Sequence, residues 1–231
     1  MKTIGLIGGL SWKSSVEYYR IINELAQDRL GGTHNARSIM VTVDFGVIQQ
    51  MQQENRWEEA NAIMIDAARR LQRGCADFFL ICANTMHRDA PSIQAAVSIP
   101  LIHIAEATGA RIKAHGFQRI GLLGTKYTME GDFYTGLLRD RFGFDVLIPT
   151  EPERAAVHRI IYDELILGII RPESRSCYAE IMHSLEARGA QAIILGCTEI
   201  ILLVKPEDST VPQFDTTRIH AETAVDLALS G

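Results

Sequence analysis

Long hydrophobic runs are missing from this chain. No apolar stretch approaches the roughly 18 residues that a membrane-spanning helix needs. An excess of basic charge is missing too. Lys and Arg number 23 against 28 Asp and Glu, a net charge of −5, so nothing electrostatic points to nucleic acid. Cysteine is sparse: Cys75, Cys82, Cys177 and Cys197, with no CxxC pair and no zinc-ligand spacing. That argues against a disulfide framework and against a metal site. The start, MKTIGLIGG, lacks the long apolar core and small-residue cleavage site of a signal peptide, and a cytoplasmic location is expected. The first glycine loop reads Gly5-Leu6-Ile7-Gly8-Gly9, not G-x-G-x-x-G, and no P-loop lysine follows it. No dinucleotide or nucleotide cofactor is therefore expected.

What the chain has is alternation. Short apolar, β-rich runs are expected as strands over 2–7, 37–43, 76–81, 101–104, 118–124, 144–148, 191–196 and 211–214. Amphipathic stretches between them are expected as helices over 13–30, 57–73, 104–115, 132–142, 151–167, 172–188 and 217–229. Near-continuous apolar strands followed by helices mean a parallel sheet covered on both faces. The halves also repeat. TIGLIGG at 3–9 matches RIGLLGT at 119–125, and RGCADFFLICANT at 73–85 matches RGAQAIILGCTE at 188–199. The expected fold is α/β, with two similar lobes related by pseudo-two-fold duplication. The first lobe is expected over 1–99 plus 212–231 and the second over 100–211, with chain crossings near Pro100 and Pro212.

Chemistry in open α/β sheets sits at the carboxyl ends of strands. Two apolar runs stop there at a cysteine beside small polar residues. One is Leu80 to His87 (LICANTMH) and the other is Ile193 to Ile200 (IILGCTEI). A thiol beside a hydroxyl and a carboxylate, as in Cys197-Thr198-Glu199, suits general acid–base work near neutral pH. A small buried hydrophobe is the competing reading for any such cysteine. Asn84 and Thr85 could hydrogen-bond a carboxylate and an ammonium, and His87 follows one turn later. Ser11 is expected to cap the first helix, and its hydroxyl could also touch ligand. Thr125 ends the matching strand of the second half. Cys75 and Cys177 have no polar company and are expected to be structural. His103 and Glu106 follow another strand and could orient a catalytic group or cap the next helix.

These stretches, with IGLIGGLSW at the start, HIAEAT at 103–108 and LLGTKYTME at 122–130, resemble the aspartate/glutamate racemase family along nearly the whole chain. The resemblance implies a cofactor-independent, homodimeric racemase acting on a small amino-acid substrate, with two cysteines working on opposite faces of Cα. Cys197, Thr198 and Glu199 match the second-lobe motif, and Asn84 and Thr85 match the first-lobe polar pair. The first cysteine departs from the pattern. Cys82 lies one residue early, and Ala83 stands directly before Asn84. The ungapped repeat pairs Cys82 with Cys197, but a one-residue shift on a strand turns a side chain to the other face. Either a bulge brings Cys82 in, or Ala83 faces the substrate and only Cys197 acts. With one thiol, catalysis is expected to be slow or biased in direction. The residues carried forward are Cys197 and Cys82 as catalytic, and Ser11, Gln52, Ala83, Asn84, Thr85, Thr125, Thr198 and Glu199 as substrate-binding. An acidic substrate side chain calls for a basic partner. The segment 44–53 supplies only glutamines among long polar residues, with Arg56 and Lys126 as other options. The alternatives are a one-cysteine decarboxylase or isomerase of the same superfamily, and a non-catalytic amino-acid-binding protein.

Overall fold

The computed structural model describes residues 1–230. In chain order the elements are β1 (Ile4–Gly8), α1 (Trp12–Leu30), β2 (Ser38–Thr42), α2 (Phe45–Gln53), α3 (Trp57–Arg73), β3 (Phe78–Ile81), α4 (Ala90–Ala95) and α5 (Ile104–Ala114). They continue with β4 (Arg119–Gly124), α6 (Lys126–Glu130), α7 (Asp132–Phe142), β5 (Asp145–Leu147), α8 (Glu151–Ile160), α9 (Pro172–Ala187), β6 (Ala192–Gly196), α10 (Ile200–Leu203), β7 (Gln213–Asp215) and α11 (Thr216–Leu229). The chain divides into two compact units. Unit 1 holds Met1–Ile104 and the segment from His220 on, and unit 2 holds Ala105–Ile219.

Each unit contains one all-parallel sheet flanked by helices. The order is β2-β1-β3 in unit 1 and β5-β4-β6-β7 in unit 2. The first three strands of each sheet thus share one order, as the sequence repeat implies. Parallel strands need crossover helices, and those helices bury both faces, which is why the strands carry no polar alternation. In unit 1, Ile4, Leu6, Phe78 and Leu80 form one sheet face. They pack with Tyr18, Ile21 and Ile22 of α1 and with Ala221, Ala224 and Val225 of α11. On the other side α3 packs against β1 and β2, burying Ala60, Met64, Ala67 and Leu71. In unit 2, α8 and α9 pack against β4.

Three details differ from the sequence reading. The strand expected over 101–104 is reduced to one parallel bridge, Phe79 to Leu101, because α5 begins at Ile104 and takes over the backbone. The chain passes out of unit 1 after Ile104, not near Pro100. It returns at His220, not near Pro212, because β7 pairs with β6 and keeps that segment in unit 2. Helices α2, α4, α6 and α10 carry too short an apolar stripe to read as periodic.

A buried histidine sits at the return point. His220 Nε2 lies 2.8 Å from the Ile102 carbonyl and so carries the proton, and Nδ1 accepts from the Tyr18 hydroxyl at 2.8 Å. Burial pushes its pKa from 6.5 down to about 3, and His103 nearby adds to the shift. His87 is lowered well below its ordinary value for the same first reason. The unfolded chain therefore binds protons that the fold refuses. Stability should be full above pH 6.5 and fall as the pH drops toward 3, at about 1.4 kcal/mol per pH unit per such imidazole. Urea unfolding at stepped pH reads this slope, which should flatten in a His220→Gln variant; an unchanged slope there contradicts the assignment.

Candidate active site

The candidate residues fall into two sets, one per unit, each at the carboxyl ends of the central strands. In unit 1 the β1–α1 turn begins with Gly9, at φ +82 with its position filled by neighbours. A Cβ there would meet the Val43 carbonyl at 2.1 Å, so only glycine fits. Its N–H donates to Ser15 Oγ at 2.8 Å. Ser11 follows at φ 58, an uncommon conformation for a non-glycine residue. It occupies the cap position of α1, but its side chain makes no capping hydrogen bond. Its buried Oγ has no partner among the described residues. The expected side-chain capping role is thus not realised at this positive-φ residue.

The end of β3 holds the decisive geometry. Cys82 donates its backbone N–H to the Ile7 carbonyl at 3.0 Å, which extends the ladder by one residue. Its side chain therefore continues the face of Phe78 and Leu80 and lies wholly buried in the α1/α11 core. Burial alone pushes its thiol pKa up. The strand registers say where the repeat truly aligns. Ile4 pairs with Phe78 in unit 1, and its repeat partner Ile120 pairs with Ala192 in unit 2. Gly124 pairs with Gly196, so the residue matching Gly196 is Cys82, and the one matching Cys197 is Ala83. The ungapped sequence alignment was one residue out. Ala83 is half-buried, and Asn84 and Thr85 are buried after it, at the start of a 3-10 turn. Gln52, near the end of α2, is buried with Nε2 3.3 Å from Met86 Sδ. Arg56 is committed elsewhere: its guanidinium bonds Glu54 and Glu59.

Unit 2 brings together Thr125, Cys197, Thr198 and Glu199 at the ends of β4 and β6, all buried. Thr125 caps α6, accepting the Thr128 N–H at 3.2 Å. The Cys197 thiol donates to Glu199 Oε2 at 3.1 Å, and the Thr198 hydroxyl donates to the same oxygen at 2.8 Å. Burial, then the Glu199 carboxylate, push the Cys197 pKa well up. The backbone N–H groups of Glu199 and Thr198 oppose this by bonding the sulfur. Burial and the carboxylate thus favour the neutral thiol, while the two amides favour the thiolate. Tyr162 is a neighbour that sequence reasoning missed. It stands on a π-helical turn over Ile161–Leu165, which α10 packs against. Its phenol is pushed up by burial and by the charges of Tyr127, Cys197 and Glu199. The His158 ring lies 4.5 Å from the Tyr162 ring. π-turns recur at functional sites, but the residues around this one carry no sequence signal for it.

Among the described residues no group of three or more His, Cys, Asp or Glu side chains could hold a metal ion. No described helix is long and apolar enough to cross a membrane.

The profile of the Asp/Glu/hydantoin racemases matches residues 7–224. The chain belongs to this family. A Yersinia pestis protein assigned to the Asp/Glu racemases has the same fold at a TM-score of 0.93, with 50% identity over 100% of both chains. An aspartate racemase homologue from Pyrococcus horikoshii superposes at 0.84, with 32% identity over 99% of each chain. The broad specificity amino-acid racemase of Bacillus subtilis is 26% identical over 176 residues, 75% of this chain and 74% of its own length. Racemases are isomerases, and this chain is a member of a racemase family.

The core position of this family member's Cys82 has a measurable consequence. Cys82→Ser places a hydroxyl in the hydrophobic core between α1 and α11 and should cost about 1–3 kcal/mol of stability in urea unfolding. Turnover per folded molecule should not change; a loss comparable to that of a Cys197 variant contradicts this placement.

Proposed function

We propose that this protein is a cofactor-independent amino-acid racemase in which Cys197 is the one working thiol. The observation that carries the reading is the Cys197–Glu199 contact at 3.1 Å at the end of β6. The substrate class is aspartate, glutamate or another small polar amino acid. Ser11, Gln52, Ala83, Asn84 and Thr85 from unit 1 and Thr125 and Thr198 from unit 2 are its proposed binding residues. The unpartnered Ser11 hydroxyl supports such a role, since a buried hydroxyl without a partner costs free energy until something bonds it. Homodimeric assembly and a cytoplasmic location belong to the same proposal.

The proposed step begins when Glu199 accepts the Cys197 proton. The thiolate then removes the Cα proton. The C–H bond breaks, an S–H bond forms, and the electron pair passes into the α-carboxylate. Oriented N–H and O–H donors and exclusion of water lower the cost of that charge. Returning the proton from Cys197 restores the starting enantiomer. Delivering one from water on the opposite face of Cα gives inversion, and the hydroxide left behind takes the proton that Glu199 accepted, which restores the starting enzyme. L and D forms have equal free energy, so inversion has the same kcat/KM both ways. The single thiol therefore biases exchange with solvent, not the position of equilibrium.

Proton NMR in deuterated water follows loss of the Cα–H signal. Cys197→Ser should lower the exchange rate by at least about 100-fold, and an unchanged rate sinks the mechanism. Ala83→Cys puts a thiol at the position matching Cys197 and should raise inversion by about 10–100-fold. Release of carbon dioxide from a malonate-type substrate, without exchange, would identify the decarboxylase reading instead.

A further inference from the structure

His87 makes two hydrogen bonds that no role assigned so far uses. Its side chain is 1% exposed. Nε2 accepts the Ile104 backbone N–H at 3.3 Å, and Nδ1 lies 2.8 Å from the Ala83 carbonyl. These partners select one tautomer. A donor facing Nε2 leaves that nitrogen without a proton, so Nδ1 carries it and donates to Ala83. Both partners are backbone groups, and Ile104 opens α5. The Ala83 carbonyl would meet the His87 N–H in a regular α-turn, but that N–H goes to the Asn84 carbonyl instead, at 3.1 Å.

The ring is also held from the sides. The His103 ring lies 4.5 Å away and the His220 ring 5.9 Å away, and His220 is itself fixed by Tyr18 and Ile102. The surroundings are buried, and the two imidazoles are the charged-capable neighbours that disfavour a cation here. Ile104 and His220 are also the last and first residues of unit 1 at its two chain crossings. The imidazole thus ties the Ala83 turn to both crossing points.

We propose that His87 is a positioning residue: through the Ala83 carbonyl it fixes the orientation of Ala83, Asn84 and Thr85 toward the substrate. The proposal rests on the reading of that turn as substrate-binding. It predicts more than a packing role does. An asparagine amide occupies the place of the Nδ1 edge of histidine, whereas a glutamine amide occupies that of the Nε2 edge. His87→Asn should therefore keep the bond to Ala83, and His87→Gln should lose it.

The test pairs a structural with a kinetic readout. Long-range proton–nitrogen NMR at pH 7 should show His87 as the neutral Nδ1–H tautomer. The Ala83 carbonyl carbon and the Asn84 and Thr85 amide shifts should be kept in His87→Asn and displaced in His87→Gln. In Cα–H exchange of L- and D-aspartate, L- and D-glutamate and L- and D-serine, kcat/KM per folded molecule should fall about 100-fold for Gln and stay within a few-fold of wild type for Asn. An Nε2–H tautomer, an imidazolium, or equal shift changes in both variants overturns the proposal. So does an equal kinetic effect in both. If wild-type protein exchanges none of these amino acids, the racemase reading falls for them, while the tautomer and the carbonyl shift still decide whether His87 sets the turn.

Discussion

Parallel pairing of each central strand with the strand beside it sets the side-chain parity at the sheet ends, and the chemistry depends on that parity. A strand sends successive side chains to opposite faces. Once Ile4 is opposite Phe78, Cys82 has to point where Leu80 and Phe78 point, into the α1/α11 core. Once Ile120 is opposite Ala192, the residue after Gly196 is the one in the matching place to Ala83. No bulge intervenes at the end of β3, since Cys82 still bonds the Ile7 carbonyl as the next rung of the ladder. The two halves are alike in strand order but unlike in the one side chain each presents at the corresponding point: a methyl in one, a thiol in the other.

The thiol that is presented lies in a setting unlike that of its buried counterpart. Cys82 lies in the hydrophobic core between α1 and α11, and desolvation is the cause of its shift. Cys197 meets a carboxylate, a neighbouring hydroxyl and two backbone N–H groups. Burial raises both thiols, but only Cys197 has an acceptor for its proton and donors for the thiolate that remains. Desolvation without partners makes a cysteine inert; desolvation with partners makes it an acid that can be recharged. That contrast in surroundings, more than the presence of a cysteine in either motif, is what the proposed role of Cys197 rests on.

Much of this was legible in the amino-acid order. Apolar runs such as FFLI and AIILG, bounded by glycine and polar residues, mark parallel strands, and the paired TIGLIGG and RIGLLGT motifs mark the duplication. Cys197-Thr198-Glu199 declares itself because a carboxylate rarely follows a buried strand without a purpose. The register of the repeat was not legible. The segments linking the paired strands differ in length by two residues between the halves, 74 from Ile4 to Phe78 against 72 from Ile120 to Ala192, and hydrogen bonding, not similarity of letters, decides which residues correspond. The β7 pairing was hidden for a related reason: three residues, Gln213–Asp215, join a sheet through contacts with β6 that no local pattern announces. The role of His87 was hidden because its partners are backbone groups, an N–H at Ile104 and a carbonyl at Ala83, that look the same for any side chain.

The central claim is that one thiol, on one face, moves the Cα proton. The most direct measurement compares each pure enantiomer of aspartate in deuterated water, following Cα–H loss and optical inversion together. A single thiol predicts that one enantiomer exchanges faster than it inverts, because Cys197 returns a deuteron to the face it came from. The other enantiomer should exchange no faster than it inverts. Equally fast exchange from both enantiomers would contradict the account and require a second acid–base group.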